Sequence, residues 1–245
     1  MALYRDRGVV LRRWKLGEAD RILAIYTEEH GKVRAVAKGI RKPTSRFGGR
    51  LEPISHVSLQ LYRGRDLDTI TQVETIDHFR EVHDSLAKAT RAVSVLEAVD
   101  QLTPDRSPDA GLYTMLVGAL RAVARNDSPL VVPAFFLKLL AYQGALADLD
   151  TCVVCGRDQL EAGPLVGVDP ALGGSVCEHC AGPNVAGLTP AAMNDAAGVF
   201  RGHLRELLAR EPRPYDRQIE LAASSLLEYH LERRLRSLSV ADRLS

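Results

Sequence analysis

The chain has 245 residues, of which 46% are hydrophobic, 26% are charged and 5% are aromatic. This length is enough for one large domain or two smaller ones, and the composition excludes a disordered chain or a small disulfide scaffold. The 32 Lys and Arg residues nearly balance the 31 Asp and Glu residues, for a formal net charge of +1. Taken alone, this balance argues against a strongly basic nucleic-acid binder.

Signals for secretion or membrane insertion are not evident in the sequence. The opening residues MALYRDRGVVLRRWKLGEAD carry charge throughout, unlike the apolar stretch of a secretory signal. The longest apolar candidate, residues 130–149, is interrupted by Pro133 and by polar residues, whereas a spanning helix needs about 18 apolar residues in a row. We therefore expect a soluble, cytoplasmic protein.

Residues 1–76 carry the patterns of five strands. Alternating or short apolar runs predict strands near residues 8–14, 22–26, 32–40, 57–62 and 67–76. The segment PTSRFGG at residues 43–49 predicts a loop, because proline fixes its own torsion and paired glycines admit positive φ. Five strands in so short a stretch predict a small barrel.

After residue 76 the apolar residues recur at helical spacing. They predict helices that begin near residues 79 and 112, over 131–146, after the Thr189–Pro190 pair, and from Ile219 to Leu238. The predicted fold class is therefore α+β and multidomain. An N-terminal β-barrel domain covers residues 1–78, and an α-helical domain covers residues 79–245, with a four-cysteine segment at residues 150–182 inserted into it.

Four cysteines form two CxxC pairs with 21 residues between them. Paired cysteines in a reducing compartment favour a metal over disulfides. Four thiolates suit the tetrahedral coordination of zinc and leave no open position for a catalytic water. We therefore predict a structural Zn²⁺ site, although ordinary buried or redox cysteines, or His179 in place of one ligand, remain alternatives. The predicted ligands are Cys152, Cys155, Cys177 and Cys180.

Basic residues are concentrated at the start of the chain. Residues 1–50 contain 13 Lys and Arg against 5 Asp and Glu, a local net charge of +8, and the rest of the chain carries −7. Residues 32–50 contain seven basic residues and no acidic one. Because small barrels bind single strands with a cationic groove and aromatic side chains, this segment predicts contact with nucleic acid. Such contacts are made to phosphates, so we expect steep salt dependence and little base specificity.

Aromatic residues lie among these cations. Phe47, between Arg46 and two glycines, is predicted to lie in a loop over a bound strand. For Trp14 and Tyr26 the sequence leaves two alternatives open, a place in the core or stacking on a base. No P-loop, GxGxxG, GxSxG or HExxH motif occurs, and the sequence favours a protein that is not an enzyme.

Several motifs resemble the RecO family of bacterial recombinational repair mediators. They are GEADRI at residues 17–22, HGK at 30–32, KGIRK at 38–42, and the TCVVCGR and CEHC pairs. The resemblance extends over essentially the whole chain. The four-cysteine loop occurs in only part of the family, so the zinc-containing form is implied.

The resemblance implies an OB-fold, a helical domain and a zinc segment in a DNA repair and recombination mediator. Such proteins bind single- and double-stranded DNA and anneal complementary strands in the nucleoid. They act with RecR to help load the recombinase RecA onto DNA coated by single-stranded DNA-binding protein (SSB), whose acidic tail is expected on the helical domain. The predicted nucleic-acid contacts are Arg34, Lys38, Arg41, Lys42, Arg46, Phe47 and Arg50.

Two other interpretations remain open at this point. One is a zinc-ribbon adaptor whose basic arm binds RNA or ribosomes, and the other is an enzyme that acts on a polyanion. A strand-annealing assay with and without SSB separates the three, because the adaptor is inert with DNA and the enzyme consumes its substrate.

Overall fold

The computed structural model describes residues 2–235 and residue 237. Its contacts divide the chain into two compact units, Met1–Arg125 and Asn126–Ser245. The first unit contains a β-barrel and helices, and the second contains helices and a small sheet. Among the described residues, no helix combines the length and apolar character needed to cross a bilayer.

Five strands form a closed barrel in the first unit. The strands follow one another in the barrel as β1-β2-β3-β5-β4. Only the contact between β3 and β5 is parallel, and the other neighbours are antiparallel. The predicted five-stranded OB-fold barrel is confirmed, and most of its strands are longer than the sequence patterns indicated. The strands are β1 (Leu3–Leu16), β2 (Asp20–Thr27), β3 (Gly31–Ala37), β4 (His56–Tyr62) and β5 (Asp68–Asp77).

Alternate residues of the strands fill the barrel, as the period of two requires. On β2 the inward residues are Leu23 and Ile25, and neither side chain is accessible to solvent. The loop after β3 contributes three more buried side chains, Ile40, Phe47 and Leu51, to the same cluster. This loop therefore folds back onto the barrel and closes part of its core.

The burial of Phe47 contradicts one sequence-based prediction. Its ring is only 1% exposed and packs within the barrel core. A ring in that position presents no face to a base, so the prediction that Phe47 stacks on a bound strand is wrong. The neighbouring glycines suggested an open loop, whereas the aromatic ring anchors this loop to the barrel.

The first unit continues with α1 (Arg80–His83), α2 (Leu86–Leu102) and α3 (Ala110–Arg125). The helix predicted from residue 79 is divided in two, because Ser85 has an extended backbone and its hydroxyl caps α2 by accepting from the Lys88 N–H. The α2–α3 connection runs along β3, where Arg106 N–H donates to the Lys32 carbonyl at 2.8 Å. Gly31 permits this approach, since a Cβ there would lie 2.3 Å from the Ser107 carbonyl oxygen.

In the second unit, α4 (Val131–Tyr142) packs against α8 (Asp216–His230), and a three-stranded sheet lies between them in sequence. Thr189 caps α6 (Pro190–Gly198), the helix predicted after the Thr189–Pro190 pair, with Pro190 in its first turn. The helix predicted to follow it is two helices, α6 and α7, and the predicted position Leu238 lies outside the described residues. The elements are α4 (Val131–Tyr142), α5 (Gln159–Ala162), β6 (Leu165–Asp169), β7 (Gly174–Cys177), β8 (Ala186–Gly187), α6 (Pro190–Gly198), α7 (Leu204–Ala209) and α8 (Asp216–His230).

Candidate nucleic-acid interface and metal centre

The loop that follows β3 is held against the turn between β1 and β2. The Gly39 N–H donates to Asp20 Oδ1 at 2.7 Å, and the Arg41 N–H donates to the Ala19 carbonyl at 3.0 Å. The Arg41 guanidinium donates to the Gly17 carbonyl at 3.2 Å. These bonds place the basic segment KGIRK beside the end of the β1–β2 hairpin.

The second half of this loop is organised around the buried Phe47 ring. The Arg46 guanidinium carbon lies 5.0 Å from the ring centroid, which is within the range of a cation–π contact. The Arg50 guanidinium donates to the carbonyls of Arg46 and Phe47 at 3.2 and 3.4 Å. Phe47 therefore positions two cations at the surface.

Five basic side chains of this loop have no carboxylate partner in the part of the chain that the structure describes. All five are exposed, and none forms an ion pair with any residue that the structure describes. A polyanion can therefore bind these side chains without first breaking a salt bridge. We name them the loop cations, and they are Lys38, Arg41, Lys42, Arg46 and Arg50.

The two basic residues of β3 differ from the loop cations because both are paired. Arg34 Nε lies 3.1 Å from an Asp105 carboxylate oxygen, and both side chains are about half exposed. Lys32 is 8% exposed, lies 3.5 Å from Asp100 and donates to the Asp100 carbonyl at 2.6 Å. Within the basic run 32–50, the charge of Lys32 therefore stabilises the fold, and the charge of Arg34 is partly neutralised by Asp105.

Asp105 is held near Arg34 by the ion pair of its neighbour Arg106 with the buried carboxylate of Asp68. The Asp68 carboxylate accepts from Arg106 at 2.8 Å and from the Tyr4 hydroxyl at 2.5 Å. Burial raises the pKa of Asp68, but the hydrogen bonds from Tyr4 and Arg106 outweigh that effect and hold the pKa below its usual range. This ionised carboxylate ties the α2–α3 connection, with Asp105 in it, to the barrel.

Sequence reasoning missed a further cation on the outer surface of the barrel. In the strand register Arg12 lies opposite Ala24, which lies opposite Arg34. Arg12 is exposed and lies 3.8 Å from Asp100. Arg13, the next residue, pairs with Glu52. Composition alone does not show which of these two adjacent arginines lies on the outer face beside Arg34, because the strand register determines the face.

All four predicted cysteines come together in the second unit. Their sulfur atoms lie within 4.8 Å of one another, and His179 is not among the clustered ligands. Cys152 and Cys177 are buried, and the other two are partly exposed. Burial raises the pKa of Cys152, but hydrogen bonds from neighbouring backbone N–H groups outweigh it and lower the pKa to about 6. The site offers four sulfur ligands and could hold a metal ion.

Each cysteine pair lies in a tight turn. The Gly156 N–H donates to the Cys152 carbonyl at 2.8 Å, and the Cys180 N–H donates to the Cys177 carbonyl at 3.0 Å. Gly156 has φ of +71°, a value that side-chain-bearing residues rarely adopt. The second pair begins at the end of β7, so the small sheet carries one half of the cluster.

Two family models match the chain. The model for the N-terminal region of recombination protein O matches residues 1–79, and the model for its C-terminal region matches residues 83–239. The two models correspond to the barrel and to the helical region with the cysteine cluster. They confirm the resemblance drawn from the sequence motifs and indicate DNA and recombination proteins as partners. The chain therefore belongs to the recombination protein O (RecO) family of DNA repair and recombination mediators.

Proposed function

We propose that this protein binds single- and double-stranded DNA through the loop cations and anneals complementary strands. It acts without catalysis of its own, together with RecR, and helps load RecA onto SSB-coated DNA. The observation that carries the proposal is the set of five exposed cations that have no carboxylate partner among the described residues, in a loop that is hydrogen-bonded to the β1–β2 hairpin. Arg34 joins them when its pairing with Asp105 is broken.

The physical basis of annealing is the relief of phosphate repulsion. Two strands repel each other through their backbones, and cations that neutralise phosphates lower this cost. Contacts to phosphate leave the base edges free to pair. Lysine and arginine side chains on a barrel surface supply this neutralisation, and the barrel core that holds Phe47 fixes their positions.

The domain arrangement that we propose assigns DNA binding to residues 1–78. Residues 79–245 form the helical domain with the metal segment at 150–182, and this domain receives the acidic tail of SSB. Support for the division comes from the family models, whose boundary falls between residues 79 and 83. The contacts divide the chain elsewhere, because they group α1–α3 with the barrel in the unit Met1–Arg125. The net charge of +8 in residues 1–50, against −7 in the rest of the chain, agrees with this assignment of DNA binding.

For the metal centre we propose structural Zn²⁺. Tetrahedral zinc with bonds of about 2.3 Å to sulfur requires sulfur atoms about 3.8 Å apart, and the four sulfurs here lie within 4.8 Å of one another. An all-cysteine set leaves no open coordination position, so the metal would stabilise the segment and would not activate water.

The test is strand annealing by a charge-reversal variant. Lys38→Glu, Arg41→Glu and Lys42→Glu together should abolish annealing, with and without SSB, because each exposed cation is replaced by an anion. The matched control reverses three exposed helix arginines, Arg121, Arg125 and Arg205. Circular dichroism verifies that both variants are folded. Full annealing by the folded loop variant would falsify the proposal, and so would an equal loss in the control.

A further inference from the structure

The outer surface of the barrel carries an exposed tryptophan. In the register of β1, β2 and β3, Trp14 lies opposite Ile22, and Ile22 lies opposite Val36. Directly opposed residues of an antiparallel pair project from the same face. The alternate positions Leu23 and Ala35 point into the core, so Trp14, Ile22 and Val36 lie on the opposite face of the sheet, where Val36 is only 9% exposed.

Trp14 is 38% exposed and is therefore not a core residue. A single exposed apolar side chain needs no special explanation, but a second feature distinguishes this one. The Arg12 guanidinium carbon lies 5.1 Å from the indole centroid, which supports the ring by a cation–π contact. The indole thus has a fixed orientation on an apolar row and remains partly accessible.

The tryptophan also adjoins the loop cations. The β3 strand that carries Val36 ends at Ala37, and Lys38 follows two residues, or about 7 Å, beyond Val36. From the other side, Trp14 is followed by Leu16 and by the β1–β2 turn, to which Arg41 is hydrogen-bonded. The indole and two of the loop cations, Lys38 and Arg41, therefore lie toward the same end of the barrel.

We propose that Trp14 is a stacking platform for a base of single-stranded DNA, with Arg12 as the residue that orients it. This inference rests on the proposed function and adds a determinant of strand preference to it. Aromatic rings stack on exposed bases of any sequence. Bases within a duplex are stacked on each other and offer no free face, so Trp14 favours single strands, while the loop cations serve both kinds of DNA.

Trp14 is the only tryptophan of the chain, so its fluorescence reports on this position alone. Titration of the full-length protein with a single-stranded thymidine oligonucleotide should quench the emission. Trp14→Ala should weaken single-strand binding, measured by fluorescence anisotropy of labelled DNA, by about 5- to 150-fold. Its binding to a duplex should change by less than about twofold, and Trp14→Phe should restore much of the single-strand affinity, since a smaller ring still stacks.

Tyr62→Ala is the matched control. Tyr62 is an aromatic residue of the same barrel, 45% exposed, and it lies opposite Leu3 at the far end of β1 from Trp14. The control should bind single strands as the wild type does. Equal weakening by both variants, or equal weakening of single-strand and duplex binding by Trp14→Ala, would overturn the inference.

The same measurements separate this inference from the proposed function. If single strands bind with no quenching and Trp14→Ala retains the wild-type affinity, the platform is wrong and the role of the loop cations is unaffected. If the wild-type protein binds neither single strands nor duplex, the proposed function itself fails, and the platform fails with it.

Discussion

Replacing Asp105 with Asn should strengthen DNA binding, because it frees a cation next to the loop cations. Asp105 lies 3.1 Å from Arg34, whose side chain is 54% exposed while that of Asp105 is 44% exposed. Asn retains the size of the side chain and removes its charge. Exposed ion pairs contribute about 0.2–1 kcal/mol to stability, so loss of the pair with Arg34 should lower the free energy of unfolding by about that much. Asp105 also lies 3.8 Å from the buried Lys32 Nζ, which keeps its contacts with Asp100 in the variant.

The gain in affinity can be worked out from the salt dependence. Each phosphate neutralised on a single strand changes the slope of log K against log salt by about −0.7. One additional contact by Arg34 therefore makes the slope steeper by about 0.7 and raises affinity about fivefold at roughly 0.1 M salt. Anisotropy titrations of a labelled single strand, between about 50 and 200 mM salt, measure both quantities.

The control removes one carboxylate from another exposed ion pair of the same unit. Asp84→Asn has the same effect on net charge, and its pair with Arg80 is 3.9 Å long and more exposed. This variant should leave the slope unchanged. An unchanged slope in Asp105→Asn would show that Arg34 makes no phosphate contact. An equal gain in affinity in the two variants would show that the gain comes from the change in net charge alone.

Two other predictions concern stability. Phe47→Ala should lower the free energy of unfolding by about 3–5 kcal/mol, measured in urea, because the ring is 1% exposed in the barrel core; a fully stable variant that loses only DNA binding would contradict this. The protein should contain one zinc per chain by elemental analysis, and Cys177→Ser should lose the metal and lower the thermal midpoint. Metal-free wild-type protein, or an unchanged midpoint in the variant, would count against the zinc site.

The strands and the cysteine cluster were predictable because each depends on a local pattern. Alternation at Val33, Ala35 and Ala37 identifies the inward face of β3 from sequence alone. The two CxxC turns likewise bring their sulfurs together in pairs. Phe47 was misassigned because glycines and proline in its surroundings indicate a loop, but do not indicate whether that loop lies over the end of the barrel.

The sequence did not indicate which basic residues are paired with carboxylates and which can contact DNA. Lys32 and Arg34 belong to the same basic run as Lys38, yet their partners Asp100 and Asp105 follow more than 60 residues later. Such pairings depend on how the last turn of α2 and the α2–α3 connection pack along β3. Local composition counts all of these cations equally, whereas the structure separates those paired with a carboxylate from those with no such partner among the described residues.

Mutations of paired and of exposed basic residues should act differently. Lys32 is buried and bonded to Asp100 in the last turn of α2, so removing it leaves Asp100 with one cation fewer and lowers stability. Lys38 and Lys42 are exposed and have no carboxylate partner among the described residues, so removing either changes the salt dependence of DNA binding and leaves the free energy of unfolding nearly the same. The near-neutral net charge of the chain conceals both groups, because acidic residues elsewhere in the chain offset the loop cations in number.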